Sequence, residues 1–377
     1  IVSLTAVSSI GIGYVLQAVA PEGLVPRIPG MGAMRSQLVA TGFAGFGDLM
    51  QVGTGEALPD TPLILARTDG PAVWRRRVYD QYNGHSWRGR LQGESILPVR
   101  EQQRVVEIRW NQRAVEIEDL QSCRPVNQEL TYLLDADWVG VPTVTRIEKV
   151  GDTFADVVQT DRYSNVILHL DKGTVLRQVS QYADPTPAQL RAAPRADARR
   201  MLWMLYVPPS AAKTIDPVAL TLQRGRATDY DTALAIQQFL EQNFVYDASA
   251  RVPRSVDDSM TYYFQNRRGA CDLIATAMVL LARSCGIPAR VAVGFAEGEP
   301  QADGRRLIRL KDAHAWPELH FQGYGWVKFD PAVPAVAEGA QLANNESFGA
   351  SVFRLDRRSV WVLLVLCLSG WLGGYIT

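Results

Sequence analysis

The chain has 377 residues, with 39 basic and 39 acidic side chains and no long run of either sign, which argues against a surface built for nucleic acid or another anionic polymer. That length exceeds one ordinary core, so two soluble domains with appendages are expected. The four cysteines, Cys123, Cys271, Cys285 and Cys367, are far apart and form no CxxC pair, so neither a zinc site nor a disulfide framework is indicated.

In chain order, residues 1–20 are uncharged, and so are residues 359–377. Each run has about the 20 residues needed to cross a bilayer core, so both are expected as transmembrane segments and a lipid membrane as a partner. Lacking a basic n-region, the first does not read as a signal peptide. Residues 21–62 are dense in Gly and Pro and read as linker. From 63 to 182, short alternating segments such as RVVEIRW and NVILHL, broken by Gly, Asn, Asp and Pro, predict a β-rich domain. Asn83-Gly84 in that stretch predicts a hairpin. His85 and His169 have no partner at ligand or triad spacing and read as ordinary sheet residues, while Cys123 and Cys285 read as small buried hydrophobes.

The Pro-rich string ADPTPAQLRAAPRADARR marks a boundary. Beyond it, residues 183–340 are expected to form a second domain, followed by a linker at 341–358. Thr228 and Asp231 form a capping pair, and Ala233, Ile236, Leu240 and Phe244 lie on one face of the helix that follows. In RRGACDLIATAMVLLARSCGIPARVAVGF, Cys271, Ile274, Met278, Leu281 and Cys285 recur at spacings of three and four, predicting a buried helix that starts at Cys271. Gly286 and Pro288 end that helix, and ARVAVGF is the next strand. A thiol on the first turn of a helix sits at the positive end of the dipole, which favours thiolate.

The string KDAHAWPELHFQGYGWVKFDPAVP reads as two strands around a Gly-Tyr-Gly turn. His314, Trp316, Glu318 and His320 share a face of the first strand, and Trp326, Lys328 and Asp330 a face of the second. A turn centred on residue 322 or 323 puts His314 opposite or diagonal to Asp330; a half-residue shift would separate them. A nucleophilic thiol needs a base, and an imidazole base needs a carboxylate or amide to fix its tautomer. Cys271, His314 and Asp330 supply that set, with His320 a rival base and Glu318 a rival orienter. Pro317 removes a backbone donor, so the strand should be an edge or carry a bulge there.

These strings, with the order Cys271, His314, Asp330 and the GIPAR turn from Gly286 to Arg290, resemble the core of the transglutaminase-like superfamily over residues 200–335. The WRRRVYDQYNGHSW region and the apolar ends are similar to bacterial membrane-bound transglutaminase-like proteins of the TgpA type. The resemblance implies an α+β fold with a papain-like/transglutaminase core: N-terminal helices, Cys at a helix start and an antiparallel sheet. A β-rich domain would precede it and transmembrane segments would flank both, with 1–20 the last helix of an N-terminal bundle. Ala270 and Asp272 depart from the aromatic residue and the Glu common beside the nucleophile in relatives.

The expected activity is thiol acyl transfer on a carboxamide, of the protein-glutamine gamma-glutamyltransferase type, or hydrolysis by the same triad as a cysteine protease or amidase. The substrate is then a protein or peptide, offering a glutamine carboxamide or a peptide bond, and no metal or organic cofactor is required. The competing class is a non-catalytic membrane scaffold. The Cys271 backbone N–H is the expected oxyanion donor, with Gln265 as a side-chain candidate against a solvated loop glutamine. Arg354, Arg357 and Arg358 flank the C-terminal run, where positive-inside bias would make them cytoplasmic; long loops escape that bias, and the resemblance points to an extracytoplasmic catalytic domain in a multi-pass cell-membrane protein.

Overall fold

A computed structural model describes residues 49–332, except 56, 72–73, 90–94, 98–102, 109–122, 137–139, 141–142, 155–157, 162, 164, 198 and 200. The expected membrane segments 1–20 and 359–377 and the linker 341–358 lie outside the described residues. No helix among those described is long and apolar enough to cross a membrane.

The strands are β1 (Leu49–Gln51), β2 (Pro62–Thr68), β3 (Trp74–Tyr79), β4 (Gln81–Tyr82), β5 (Ser86–Arg88), β6 (Ser95–Leu97), β7 (Val105–Glu107), β8 (Cys123–Tyr132), β9 (Val144–Lys149), β10 (Val158–Thr160), β11 (Val166–Ile167) and β12 (Val175–Ala183). After helices α1 (Pro187–Ala192), α2 (Pro209–Gln223) and α3 (Asp229–Asn243) come β13 (Val245–Tyr246), α4 (Ser259–Asn266), β14 (Arg268–Gly269) and α5 (Cys271–Ser284). The chain then forms β15 (Ala289–Phe295), β16 (Glu299–Pro300), β17 (Arg306–Arg309), β18 (Ala313–Phe321) and β19 (Gly325–Lys328).

Two antiparallel sheets organise these elements. One has the order β16-β17-β2-β8-β12-β9-β7 and the other β19-β18-β15-β3. The long strand β8 follows the period-two rule, burying Val126, Gln128, Leu130 and Tyr132 while residues between them stay more exposed. At Asn83-Gly84, β4 and β5 pair as a hairpin, with Gly84 at φ 105, a conformation that glycine adopts without strain.

The two halves of the sequence exchange strands. From the early part of the chain, β3 pairs with β15 and becomes an edge of the four-stranded sheet. From the later part, β17 pairs with β2 and carries β16 onto the edge of the seven-stranded sheet. At the β3–β15 contact, Gly294 lies so close to β3 that a Cβ would stand 1.8 Å from the Trp74 carbonyl oxygen, which explains a glycine inside a central strand.

Helix α3 forms as its cap and spacing dictate: the Thr228 hydroxyl accepts from the Asp231 N–H, and Ala233, Ile236 and Leu240 are buried. Helix α5 goes beyond the expected stripe, being buried on every side from Leu273 to Arg283. Sheet strands β15 and β18 and helices α2, α3 and α4 enclose it, the setting a helix apolar all round requires. Its one buried cation, Arg283, donates to the carbonyls of Ala289, Tyr206 and Asp80, tying α5 to three other segments. Burial lowers the Arg283 pKa to about 9. Cys285 is buried as expected, but Cys123 is only partly so, because it starts β8 at the end of its sheet pairing.

Candidate active site

Cys271 is the first residue of α5, and the loop before it is held on two sides. Strand β14 pairs in parallel with β13, and the Asp247 N–H donates to the Gly269 carbonyl. Gly269 has no room for a side chain, since a Cβ would meet Leu273 and Tyr263 at 2.7 Å. Arg267 reverses the chain out of α4 in the left-handed region, at φ 57. On the next residue, the Asp272 carboxylate accepts from the Gly53 N–H at 2.6 Å, so the segment after β1, part of the stretch expected as linker, is tied to the start of α5. One turn on, the Thr276 hydroxyl accepts from the Trp87 indole at 2.9 Å, so the 81–88 hairpin anchors the same helix.

His314 and Asp330 come from the β18–β19 hairpin. Its register pairs Glu318 with Lys328 and His320 with Trp326, which centres the turn on residue 323. Asp330 therefore falls diagonal to His314 on the same face. The His314 Nε2 lies 2.9 and 3.1 Å from the two Asp330 oxygens, leaving Nδ1 for another partner, and the Cys271 thiol is near enough to the ring to influence its protonation. Pro317 sits where β18 has lost its β19 neighbour: the ladder ends at Glu318–Lys328, and one further bond runs from the Phe329 N–H to the Pro317 carbonyl. The missing donor thus faces Phe329, just past the end of β19, where the Pro317 carbonyl takes the remaining bond.

Electrostatics favour a charged ring. Burial, the strongest influence on His314, opposes the imidazolium, but the Asp330 carboxylate and the Cys271 thiol outweigh it and raise the pKa to about 9. Asp330 is itself pushed up by burial and pulled further down by His314 and by Lys328, whose Nζ lies 3.0 Å away, for a net lowering. Because the folded pKa of His314 is raised above its ordinary 6.5, its contribution to stability is complete below pH 6.5 and lost as pH rises through about 9.

The rivals for these roles are accounted for. Glu318 accepts from Arg290 at 2.5 and 2.8 Å and from Arg75 at 3.2 Å, so its carboxylate belongs to a buried ion cluster and does not orient a base. Its pKa is raised by burial but lowered more by the two guanidinium groups. His320 is partly buried, edge-on against Trp326 at 5.2 Å; desolvation and Arg290 lower its pKa to about 4. An NMR titration of the four histidines is expected to find His314 near 9 and His320 near 4, with Asp330→Asn lowering the first and leaving the second in place. Gln265 is exposed on the last turn of α4, matching a solvated glutamine. His85 and His169 are also exposed, His169 beside Asp171 at 3.4 Å.

Sequence reasoning missed Tyr246. Its phenol is held protonated, first by burial and then by the negative charges of Cys271, Asp272 and Asp330, which puts an O–H donor in the same electrostatic neighbourhood as the thiol. The only signal was an aromatic residue closing the Phe-Val-Tyr string just after α3.

Residues 217–331 match the model of the Transglutaminase-like superfamily. Over 274 residues, 70% of this chain and 36% of the relative, the sequence is 26% identical to a protein-glutamine gamma-glutamyltransferase of Pseudomonas aeruginosa. It is 30% identical over 135 residues to the uncharacterized protein YebA of Bacillus subtilis, covering 34% of this chain and 18% of that one. The chain therefore spans well under half the length of either curated relative. The crystal structure of the periplasmic domain of TgpA from Pseudomonas aeruginosa has a similar fold, with a TM-score of 0.53 at 20% identity over 80% of this chain and 96% of that one. Residues 217–331 thus match the transglutaminase-like superfamily in sequence, and the fold is similar to that of the TgpA periplasmic domain.

Proposed function

We propose that this chain is the catalytic part of a membrane-anchored thiol acyltransferase of the protein-glutamine gamma-glutamyltransferase type, with Cys271 as nucleophile, His314 as base and acid, and Asp330 as the group that orients His314. The observation that carries the reading is an imidazole held by a carboxylate at 2.9 Å, with a thiol at a helix start close enough to affect its charge. The name of the Pseudomonas aeruginosa relative supports the transferase over the hydrolase, and the periplasmic origin of the similar structure supports a catalytic domain outside the cytoplasm. The runs at 1–20 and 359–377 would be the anchors.

In this mechanism the Cys271 sulfur attacks the carbon of a glutamine carboxamide while the proton resides on His314. The tetrahedral oxyanion is met by the Cys271 backbone N–H and the Tyr246 phenol. The C–N bond breaks, and ammonia leaves with the proton from His314. An amine then attacks the thioester and gives its proton to His314, and the Cys271 thiolate departs as the new amide forms. Asp330 stays ionised throughout and stabilises the imidazolium.

The test is mass spectrometry of a glutamine peptide incubated with the protein, with and without excess primary amine. The expected product is the amine adduct, a loss of ammonia balanced by addition of the amine. Glutamate alone, formed even in excess amine, would overturn the transferase reading in favour of hydrolysis.

A further inference from the structure

Asp330 has a partner that the proposed triad does not count. The Lys328 Nζ lies 3.0 Å from Asp330 Oδ2, the same oxygen that stands 2.9 Å from His314 Nε2. One carboxylate oxygen therefore sits between an ammonium and an imidazole. The hairpin register sets Lys328 opposite Glu318, a placement that favours an ion pair across the strands. Glu318 instead accepts from Arg290 and Arg75, and the Lys328 ammonium reaches along its own strand to Asp330, two residues on and on the same face.

The lysine is itself held in place. Its Nζ stands 5.3 Å from the centre of the Trp316 ring, within cation–π range. Trp316 is buried and stacked 6.0 Å from the His314 ring at 28°. His314, Asp330, Lys328 and Trp316 thus form a closed ring of contacts on one face of the hairpin. Asp330 needs such support, because it lies beyond the end of β19 at Lys328, where the last hairpin bond runs from the Phe329 N–H to the Pro317 carbonyl. With 32% of its side chain exposed, its carboxylate would otherwise be free to turn toward water about both side-chain torsions.

We propose that Lys328 is a positioning residue of the proposed active site, fixing the Asp330 carboxylate against His314 and offsetting part of its charge, so that His314 releases its proton more readily than Asp330 alone would allow. The role rests on the acyl-transfer reading above, in which His314 takes up and returns a proton in each half of the reaction. A nearby cation disfavours a charged imidazole, and a base works best when its pKa lies near the operating pH. His314 already stands at about 9; without Lys328 it would stand higher and return its proton less readily. The other titratable groups around the pair are Cys271 and Asp272 of α5 and Tyr246 of β13. All three are acidic or neutral, so none of them supplies this opposing charge.

Titration and kinetics of Lys328 variants test this on the full chain. Lys328 is 30% exposed on an edge strand, so Lys328→Met keeps an apolar stem against Trp316 and needs no repacking. By NMR, His314 in Lys328→Met is expected to titrate about half a pH unit or more above its wild-type value, and in Lys328→Arg, which restores the cation, close to that value. The kcat for acyl transfer is expected to fall about tenfold in Lys328→Met with KM little changed, because the lysine acts on the orienting carboxylate. In an Asp330→Asn background the same change should cost about twofold or less, since its effect passes through that carboxylate. An unmoved His314 titration, an unchanged kcat in Lys328→Met, or a loss equally large in the Asp330→Asn background would overturn the role. The titration needs no turnover, so a shifted His314 in protein without acyl transfer sinks only the catalytic reading, and acyl transfer indifferent to Lys328 sinks only this role.

Discussion

Cys271→Ala is expected to lower kcat for acyl transfer by roughly 10⁴-fold or more, because every later step passes through the thioester. His314→Gln should cost about as much, and the double variant hardly more than either alone, since nucleophile and base act as a unit. Asp330→Asn should cost less, because an amide can still fix the ring while no longer stabilising its charge. It should also bring the His314 pKa down from about 9. Steady-state kinetics with a glutamine peptide and an amine, with circular dichroism as the check on folding, separate these outcomes. Costs for Cys271→Ala and His314→Gln that simply multiply in the double variant would argue that the two residues do not work together.

The second large effect is on stability. Glu318→Gln is expected to destabilise the fold by roughly 3–5 kcal/mol, because it removes the buried carboxylate that both guanidinium groups bond. Arg75 and Arg290 keep only 3% and 1% of their side-chain surface exposed, against 9% for Glu318. Arg290 is also stacked 3.9 Å from the centre of the Trp326 ring and cannot swing out to water without unpacking it. Replacing all three charges with apolar side chains of similar volume should recover most of the loss, since desolvation offsets much of what such clusters contribute. Because the folded pKa of Glu318 lies below its ordinary 4.5, its stabilisation is present above pH 4.5 and is lost as pH falls through the lowered value. Denaturant unfolding at pH 7 and pH 4 measures both effects.

The candidate site residues and Glu318 show how unevenly the sequence could be read. The helix start at Cys271 and the meeting of His314 with Asp330 were legible because each rests on a local pattern: a three-four apolar repeat behind the cysteine, and a glycine-bounded turn that fixes the hairpin register at residue 323. Thr228 announced its helix in the same way. Glu318 was misread as a possible orienter because its partner Arg75 lies 243 residues earlier in the chain, and no local periodicity records such a contact. The exchange of β3 and β17 between the sheets was hidden for the same reason. An edge strand and a central one share the same alternation, so pairing across hundreds of residues is decided by packing. Tyr246 was passed over because a lone aromatic after a helix is ordinary core until its neighbours are known.

Competitive alkylation of the folded protein bears most directly on the central claim. Exposure alone favours Cys123, the least buried of the described cysteines, over Cys271 and Cys285; Cys285 is further disfavoured by burial that raises its pKa to about 11. With limiting iodoacetamide at neutral pH and peptide mapping of the adducts, a sulfur paired with a charged imidazole should react first, so the label is expected on Cys271 and should fall sharply in His314→Gln. Labelling that follows exposure, with Cys123 first and Cys271 unreactive until the fold is denatured, would contradict the account.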